Sequence, residues 1–190
     1  MPESESELLA RARQGDVEAF AEFVRVFERR VRALLGRMLD DERDVEEAAQ
    51  DTFVQAWRNL DRFRGDAAPF TWLYRIAVNE ALQRARRKRL DTRPLDDVPG
   101  LDSEAEVAAS GWPLPADVAE SQELAAFLAE RLRALPLDFR APLVLRDMEG
   151  WSNREVAHAL GITVAAAKSR IHRARMQLRH ELESRPRDER

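Results

Sequence analysis

At 190 residues the chain has room for one medium domain or two small ones, and 44 % apolar with 35 % charged residues fits a helical protein with modest cores. No apolar run is long enough to cross a bilayer, the opening Met1-Pro2-Glu3-Ser4-Glu5 is acidic with no apolar signal segment behind it, and the lack of cysteine excludes disulfides and thiolate zinc sites. A cytoplasmic protein is the expectation, and a net charge of −4 argues only weakly against nucleic acid because the total hides where the charges lie.

Phe20, Phe23, Val24, Phe27, Val31, Leu34, Leu35, Met38 and Leu39 recur at helical spacing and predict a long helix, with Asp16 after Gly15 as its N-cap. A second stripe follows: Val45, Ala48, Ala49, Thr52, Phe53, Ala56, Trp57 and Leu60. Asp44, Glu46 and Glu47 fall in its first turn, where negative charge complements the helix dipole. Gly65-Asp66 and Pro69 turn the chain, and a third helix is expected over residues 70–89 with Leu73, Ile76, Ala77 and Ala81 inward.

The other side of that third helix carries Trp72, Arg75, Asn79, Gln83 and Arg86 at steps of three or four, and residues 84–89 hold five bases. Amides read base edges, arginines hold phosphates and aromatic rings stack on unpaired bases. With Phe63, Arg64 and Phe70 at the loop–helix junction, this end suits single-stranded nucleic acid. For Trp72 and Tyr74 two readings stay open, a stacking surface or ordinary core.

Periodicity stops after Thr92 and resumes near Val118, with Pro94, Pro99, Gly100, Gly111, Pro113 and Pro115 between. Residues 91–123 carry nine acids against one base. That composition predicts a flexible acidic linker, 92–118, between a domain at 1–91 and another at 119–184. Leu124, Phe127, Leu128, Leu132 and Leu135 restart the helical pattern, and four helices are expected to make up the second domain.

The last two form a helix-turn-helix. Ser152-Asn153-Arg154-Glu155 reads as a capping box, and Val156, Ala157 and Leu160 as the buried side of a short helix. Gly161 stands where a left-handed residue would end it, Ile162 is expected to pack inward, and Thr163 to cap the final helix. That helix is expected to bury Ala167, Ile171, Ala174, Leu178 and Leu182 and to present Lys168, Ser169, His172, Arg173 and Met176. Residues 164–180 hold five bases (Lys168, Arg170, Arg173, Arg175 and Arg179) and no acid, as a recognition helix in the major groove requires. The fold class is therefore all-α, two small helical domains on an acidic tether. Neither a metal nor a cofactor is expected: His158, His172 and His180 all lie at the DNA-binding end, and the acids gather in the linker.

Three segments, Asp44-Val45-Glu46-Glu47-Ala48-Ala49-Gln50-Asp51-Thr52-Phe53, Phe63-Arg64-Gly65-Asp66 and Thr71-Trp72-Leu73-Tyr74-Arg75-Ile76-Ala77-Val78-Asn79, closely resemble the second conserved region of extracytoplasmic-function sigma factors of bacterial RNA polymerase. Leu143-Val144-Leu145-Arg146, Gly150-Trp151-Ser152 and Lys168-Ser169-Arg170-Ile171-His172-Arg173-Ala174-Arg175 resemble their fourth. Order and spacing fit, and only the linker and the extreme ends lie outside the match.

The resemblance implies roles. The helix over 45–60 would dock on the clamp helices of the largest polymerase subunit, with Asp44, Glu47, Gln50, Asp51, Phe53 and Trp57 as contacts. The loop over 63–70, with Asn79 and Gln83 behind it and Trp72, Arg75 and Arg86 beside it, would receive a base flipped from the non-template strand of the −10 element. Lys168, Ser169, His172 and Arg173, with Arg175 and Arg179, would hold the duplex −35 element. The linker would thread toward the catalytic centre and RNA exit path. Implied partners are core RNA polymerase, promoter DNA and an anti-sigma factor, the free chain being a monomer.

The sequence departs from the family pattern in places. Pro142 lacks the N–H its helix needs, so that helix is expected to start late or kink. Ala165-Ala166-Ala167 replaces a more usual Gly-Thr-Val-like stretch, and His172 occupies a position that varies in the family. Two other classes compete. A repressor or activator would bind duplex operator without polymerase, usually as a dimer, but no second exposed apolar stripe supplies its interface. A nuclease would need clustered carboxylates or histidines in a site, and the sequence offers none.

Overall fold

The computed structural model describes residues 4–63, 65, 68–92 and 118–185, and all regular structure among them is helical. The chain divides into two compact units, Met1–Pro94 and Leu95–Arg190. Of the expected linker, Thr92 ends one helix and Val118 begins another; the rest lies outside the described residues.

Unit 1 contains α1 (Glu5–Arg13), α2 (Val17–Met38), α3 (Glu42–Arg58) and α4 (Pro69–Thr92), with a 3-10 turn at Leu60–Arg62. Helix α1 is absent from the sequence expectations, although its start signal is present: Ser4 accepts from the Glu7 backbone N–H while the Glu7 carboxylate accepts from the Ser4 N–H. It buries Leu8, Leu9 and Ala12. Asp16 caps α2 as expected, accepting from the Ala19 N–H at 3.0 Å and from Arg11. That backbone bond, with Arg11 beside it, holds the Asp16 carboxyl below its ordinary range.

Helix α2 is the spine of the unit and packs on α1, α3 and α4. Phe23, Phe27, Val31, Leu34, Leu35 and Met38 are fully buried, while Phe20 and Val24 at the end of the stripe are half-buried. From α3 come Ala48, Ala49, Thr52 and Ala56; the Thr52 hydroxyl is satisfied in the core by the Ala48 carbonyl at 2.7 Å. Val45 and Phe53 are half-buried and Trp57 is exposed, so the inward stripe of α3 is narrower than its apolar spacing implied. Small residues in that stripe let α3 and α4 approach closely. From α4, Leu73, Tyr74, Ala77, Val78 and Ala81 are buried, which assigns Tyr74 to the core, and Ile76 is only half-buried.

Unit 2 contains α5 (Val118–Ala134), α6 (Leu137–Leu143), α7 (Asn153–Leu160) and α8 (Val164–Glu183). Leu135, Leu143, Ile171, Ala174 and Leu178 form a buried cluster with Leu132 and Phe139 against it. Pro142 does not delay α6, which starts at Leu137. The helix forms around it and then widens into a π-helical turn, Val144–Met148. Pro142 has no N–H to give its helix, and the π turn begins two residues after it. The Glu149 N–H then bonds the Val144 carbonyl at 3.1 Å and the Trp151 N–H the Leu145 carbonyl at 3.0 Å.

The helix-turn-helix has the expected joints. Ser152 and Glu155 form the reciprocal box, and Thr163 accepts from the Ala166 N–H at 3.1 Å. Gly161 sits at φ 65°, ψ 34°. Burial differs in detail: Ala159 is buried, whereas Leu160, Ile162 and Leu182 are only half-buried. Leu182 lies near the end of α8, beyond the buried cluster.

A Cβ at Gly161 would meet nothing within 4 Å, so the cost of a side chain there is purely conformational. Gly161→Ala is expected to destabilise unit 2 by about 1 kcal/mol, the penalty of a left-handed L-residue. Urea denaturation of the full chain followed by helical circular dichroism should show a lower midpoint at unchanged slope. An unchanged midpoint would mean that the turn tolerates a right-handed alternative.

Candidate nucleic-acid interface

Helix α8 turns Ala167, Ile171, Ala174 and Leu178 inward and leaves a polar side outward. Lys168 and Arg179 are exposed, and Ser169, His172 and Arg173 are half-buried. The first turn of α8 has no acid, so the positive end of the helix dipole and Lys168 act together. Among the described residues Lys168, Arg173 and Arg179 are in no ion pair. Arg175 is different. Its Nε and Nη2 donate to the Asp147 carboxylate at 2.9 and 2.5 Å, and these bonds hold its pKa above the ordinary value. The arginine expected at DNA therefore ties α8 to the π turn. Arg170 likewise leans toward Asp138, at 3.8 Å.

In unit 1, α4 has the same division. Opposite its core side, Asn79, Gln83 and Arg86 are exposed, with Trp72 and Arg75 half-buried at the N-terminal end of the row. Trp72 lies against Phe63 with ring centroids 5.2 Å apart; Phe63 is buried, so it backs the indole and Trp72 presents the outer ring. Phe70 is half-buried, edge-on to Tyr74, with the Arg30 guanidinium 5.8 Å from its ring centroid. The Nε of Arg75 is buried without a hydrogen-bond partner among the described residues. Arg64 lies outside the described residues.

The acids of α3 are engaged within the chain. Glu47 accepts from Arg84 at 2.9 Å and from Arg43 at 3.3 Å, Asp51 accepts from the other arm of Arg84, and Asp44 accepts from Lys88 at 3.2 Å. Burial opposes the charge of Arg84, but its bonds to Glu47 and Asp51 outweigh that and raise its pKa. Burial, reinforced by the charge of Asp51, pushes the Glu80 carboxyl up. Gln50 donates to Glu46 at 3.3 Å, Phe53 is half-buried, and Trp57 is 39 % exposed with its ring 4.9 Å from Phe20. Within the basic run at 84–89, Arg84 and Lys88, one turn apart, face the α3 acids while Arg86 is exposed. The i,i+4 spacing of that pair against acids at 44, 47 and 51 was the available signal.

These features define a DNA-binding protein with a recognition helix in one unit and a basic helix fronted by aromatic rings in the other. Comparison with known proteins gives the family. The Sigma-70 region 2 model matches residues 23–90 and the Sigma-70 region 4 model residues 128–178. The chain is 33 % identical over 177 residues to the ECF RNA polymerase sigma factor SigW of Bacillus subtilis, covering 92 % of this chain and 94 % of that one. It is 35 % identical over 170 residues to the ECF RNA polymerase sigma-E factor of Escherichia coli K12, covering 88 % of both. The structure of CnrH in complex with the cytosolic domain of CnrY superposes with a TM-score of 0.64 at 29 % identity, over 97 % of this chain and 100 % of that one. The chain belongs to the extracytoplasmic-function sigma factors of bacterial RNA polymerase. It is a transcription initiation factor that binds core polymerase and recognises −35 and −10 promoter elements, which sets aside the operator-binding repressor. No described helix is long and apolar enough to cross a membrane.

The Asp147–Arg175 pair yields a direct check. Arg175→Ala and Asp147→Ala are each expected to lower stability by about 1 kcal/mol, as for a partly exposed bidentate pair. The swapped double variant, Asp147→Arg with Arg175→Asp, should recover part of that loss in thermal denaturation. Lys168→Ala should leave the melting temperature unchanged. If the swap recovers nothing, the pair does not fasten α8 to the π turn.

Proposed function

We propose that the two polar helix faces divide promoter recognition between them. Lys168, Ser169, His172 and Arg173 read base edges or phosphates of the duplex −35 element, and Arg179 holds a phosphate further along α8. Trp72, Asn79, Gln83 and Arg86 on α4, with Phe70, Arg64 and Arg75 at the loop end, receive the unpaired −10 strand, and Phe63 supports Trp72 from beneath. Asp44, Glu47, Gln50, Asp51, Phe53 and Trp57 on α3 dock on core polymerase. The observation that carries this reading is the clean division of α4, with Leu73, Ala77 and Ala81 buried on one side and Asn79, Gln83 and Arg86 exposed on the other. Core packing accounts for the first set and leaves the amides unexplained.

The chain works in the cytoplasm, where polymerase is, and is a monomer when free. An anti-sigma factor controls it; CnrH, a structural relative, was solved with the cytosolic domain of CnrY. Catalysis stays with the polymerase.

In holoenzyme, Arg173→Ala is expected to weaken promoter binding by about 1–3 kcal/mol and to relax specificity at one −35 position, whereas Arg179→Ala weakens binding evenly across sequences. Equal, sequence-blind losses would reduce Arg173 to a phosphate contact. Asn79→Ala should impair promoter opening, spare core binding, and be rescued by a premelted −10 bubble more than wild type is. Equal rescue of both would remove Asn79 from strand capture.

A further inference from the structure

Helix α2 has a cationic side that neither the core nor the α3 contact uses. Arg25, Arg29 and Arg30 are all exposed, and among the described residues none of them is in an ion pair. Arg32 differs, being held by Glu28 and Glu46 toward α3. Arg25 and Arg29 stand one helical turn apart, where like charges repel and lower the stability of the free helix. Glu22 and Glu28 stand three positions to either side of Arg25, but Glu28 is taken by Arg32 and, among the described residues, Glu22 is in no ion pair with either arginine, so both guanidiniums stay open to a counter-charge from outside. Arg30, next in the chain to Arg29, turns toward the N-terminal end of α4: its guanidinium lies 5.5 Å from the Phe27 ring centroid and 5.8 Å from that of Phe70. Phe70 belongs to the loop end at which strand capture is proposed, so Arg30 joins α2 to that surface, and Arg29 and Arg25 follow it round and along the helix.

We propose that the α2 face of Arg25, Arg29 and Arg30 is a phosphate-binding surface that carries the backbone of the unpaired promoter strand away from the Phe70 end of α4. The occupant is single-stranded DNA. Arginine suits it because its planar fork holds phosphate oxygens in pairs, and two arginines one turn apart are separated by roughly 6 Å along the helix, close enough for neighbouring phosphates of one strand. Arg30, seated over two rings, is fixed at the junction, while Arg25 and Arg29 have room to follow the strand. An acidic protein surface could also satisfy these charges; continuity with Phe70 favours the strand. The proposal rests on the reading of α4 as the strand-capturing helix.

The test uses holoenzyme assembled with the full chain, and a fluorescent non-template oligonucleotide covering the −10 element and the bases on both sides. Affinity is measured over a range of sodium chloride for wild type, R25Q/R29Q and R25K/R29K. Counterion release gives a slope of about 0.7 per phosphate contact on single strands, so the glutamine pair should flatten the salt dependence by about 1.4. The lysine pair should keep most of the slope, a readout that lost packing alone would not produce. Core affinity, measured by competition, should be the same for all three. An unchanged slope for R25Q/R29Q overturns the proposal in favour of a solvated face. A fall in core affinity with unaltered strand binding by the assembled enzyme overturns it in favour of a protein contact. Asn79→Ala, run alongside, tests the α4 reading separately: it should lose affinity without a change of slope, and full affinity would reject strand capture by α4 whatever the arginines do.

Discussion

Arg84 holds the two working helices of unit 1 in a fixed register. Its side chain is only 16 % exposed, yet both arms reach carboxylates on α3, Glu47 and Asp51. The energy of such bonds is modest, because the carboxylates are about half-exposed and water screens them; a pair of this kind contributes on the order of 1 kcal/mol or less. Direction matters more than strength here. Without Arg84, Glu47, Asp51 and Glu80 would share a partly desolvated corner as like charges, and the raised pKa of Glu80 shows that this corner already resists another negative charge. With Arg84 in place, small residues of α3 can pack flat on α4, and the outer side of α4 is left free for Asn79, Gln83 and Arg86. The acids proposed to meet polymerase are thus oriented, before polymerase arrives, by the helix proposed to meet DNA.

Unit 2 solves the same problem with a different device. A short α7 and a long α8 could be joined by the Gly161 turn alone, but a second support comes from the π turn that Pro142 precedes. That turn places Asp147 where Arg175 can grip it with two bonds, while Arg146 bonds the Trp151 carbonyl at 2.6 Å and closes the loop leading to α7. The recognition helix is therefore fastened at its middle by an ion pair and at its start by the Thr163 cap. Lys168, Ser169, His172 and Arg173 lie between these two points.

Where the chemistry is local, the sequence announces the structure. Caps at Asp16, Ser152 and Thr163 and the turn at Gly161 depend on residues within three positions of one another, and all are as read. The apolar stripes of α2 and α8 are also as read over most of their length, and family motifs carried the rest of the assignment. What was not legible depends on contacts far apart in the chain. Arg84 lies 33 residues from Asp51, and Arg175 lies 28 from Asp147. Read from the sequence, Arg84 and Lys88 share one helix side as Asp44, Glu47 and Asp51 share another, but only packing brings the two sides together; Arg175 is one more base in a basic run. The π turn that follows Pro142 likewise has no local signal beyond the proline itself. Helix α1 is a different case, since its Ser4–Glu7 box is a local signal within an acidic N-terminal stretch.

The central claim is that this chain recognises promoters as a part of polymerase and not by itself. The most direct measurement is binding of a duplex promoter fragment by the full chain, with and without core RNA polymerase, at one fixed salt concentration, with mass determined in both states. The expected result is a monomer that binds the duplex weakly when alone and a holoenzyme that binds tightly and opens it. Tight, dimeric binding of the duplex by the free chain, unimproved by core polymerase, would contradict the claim.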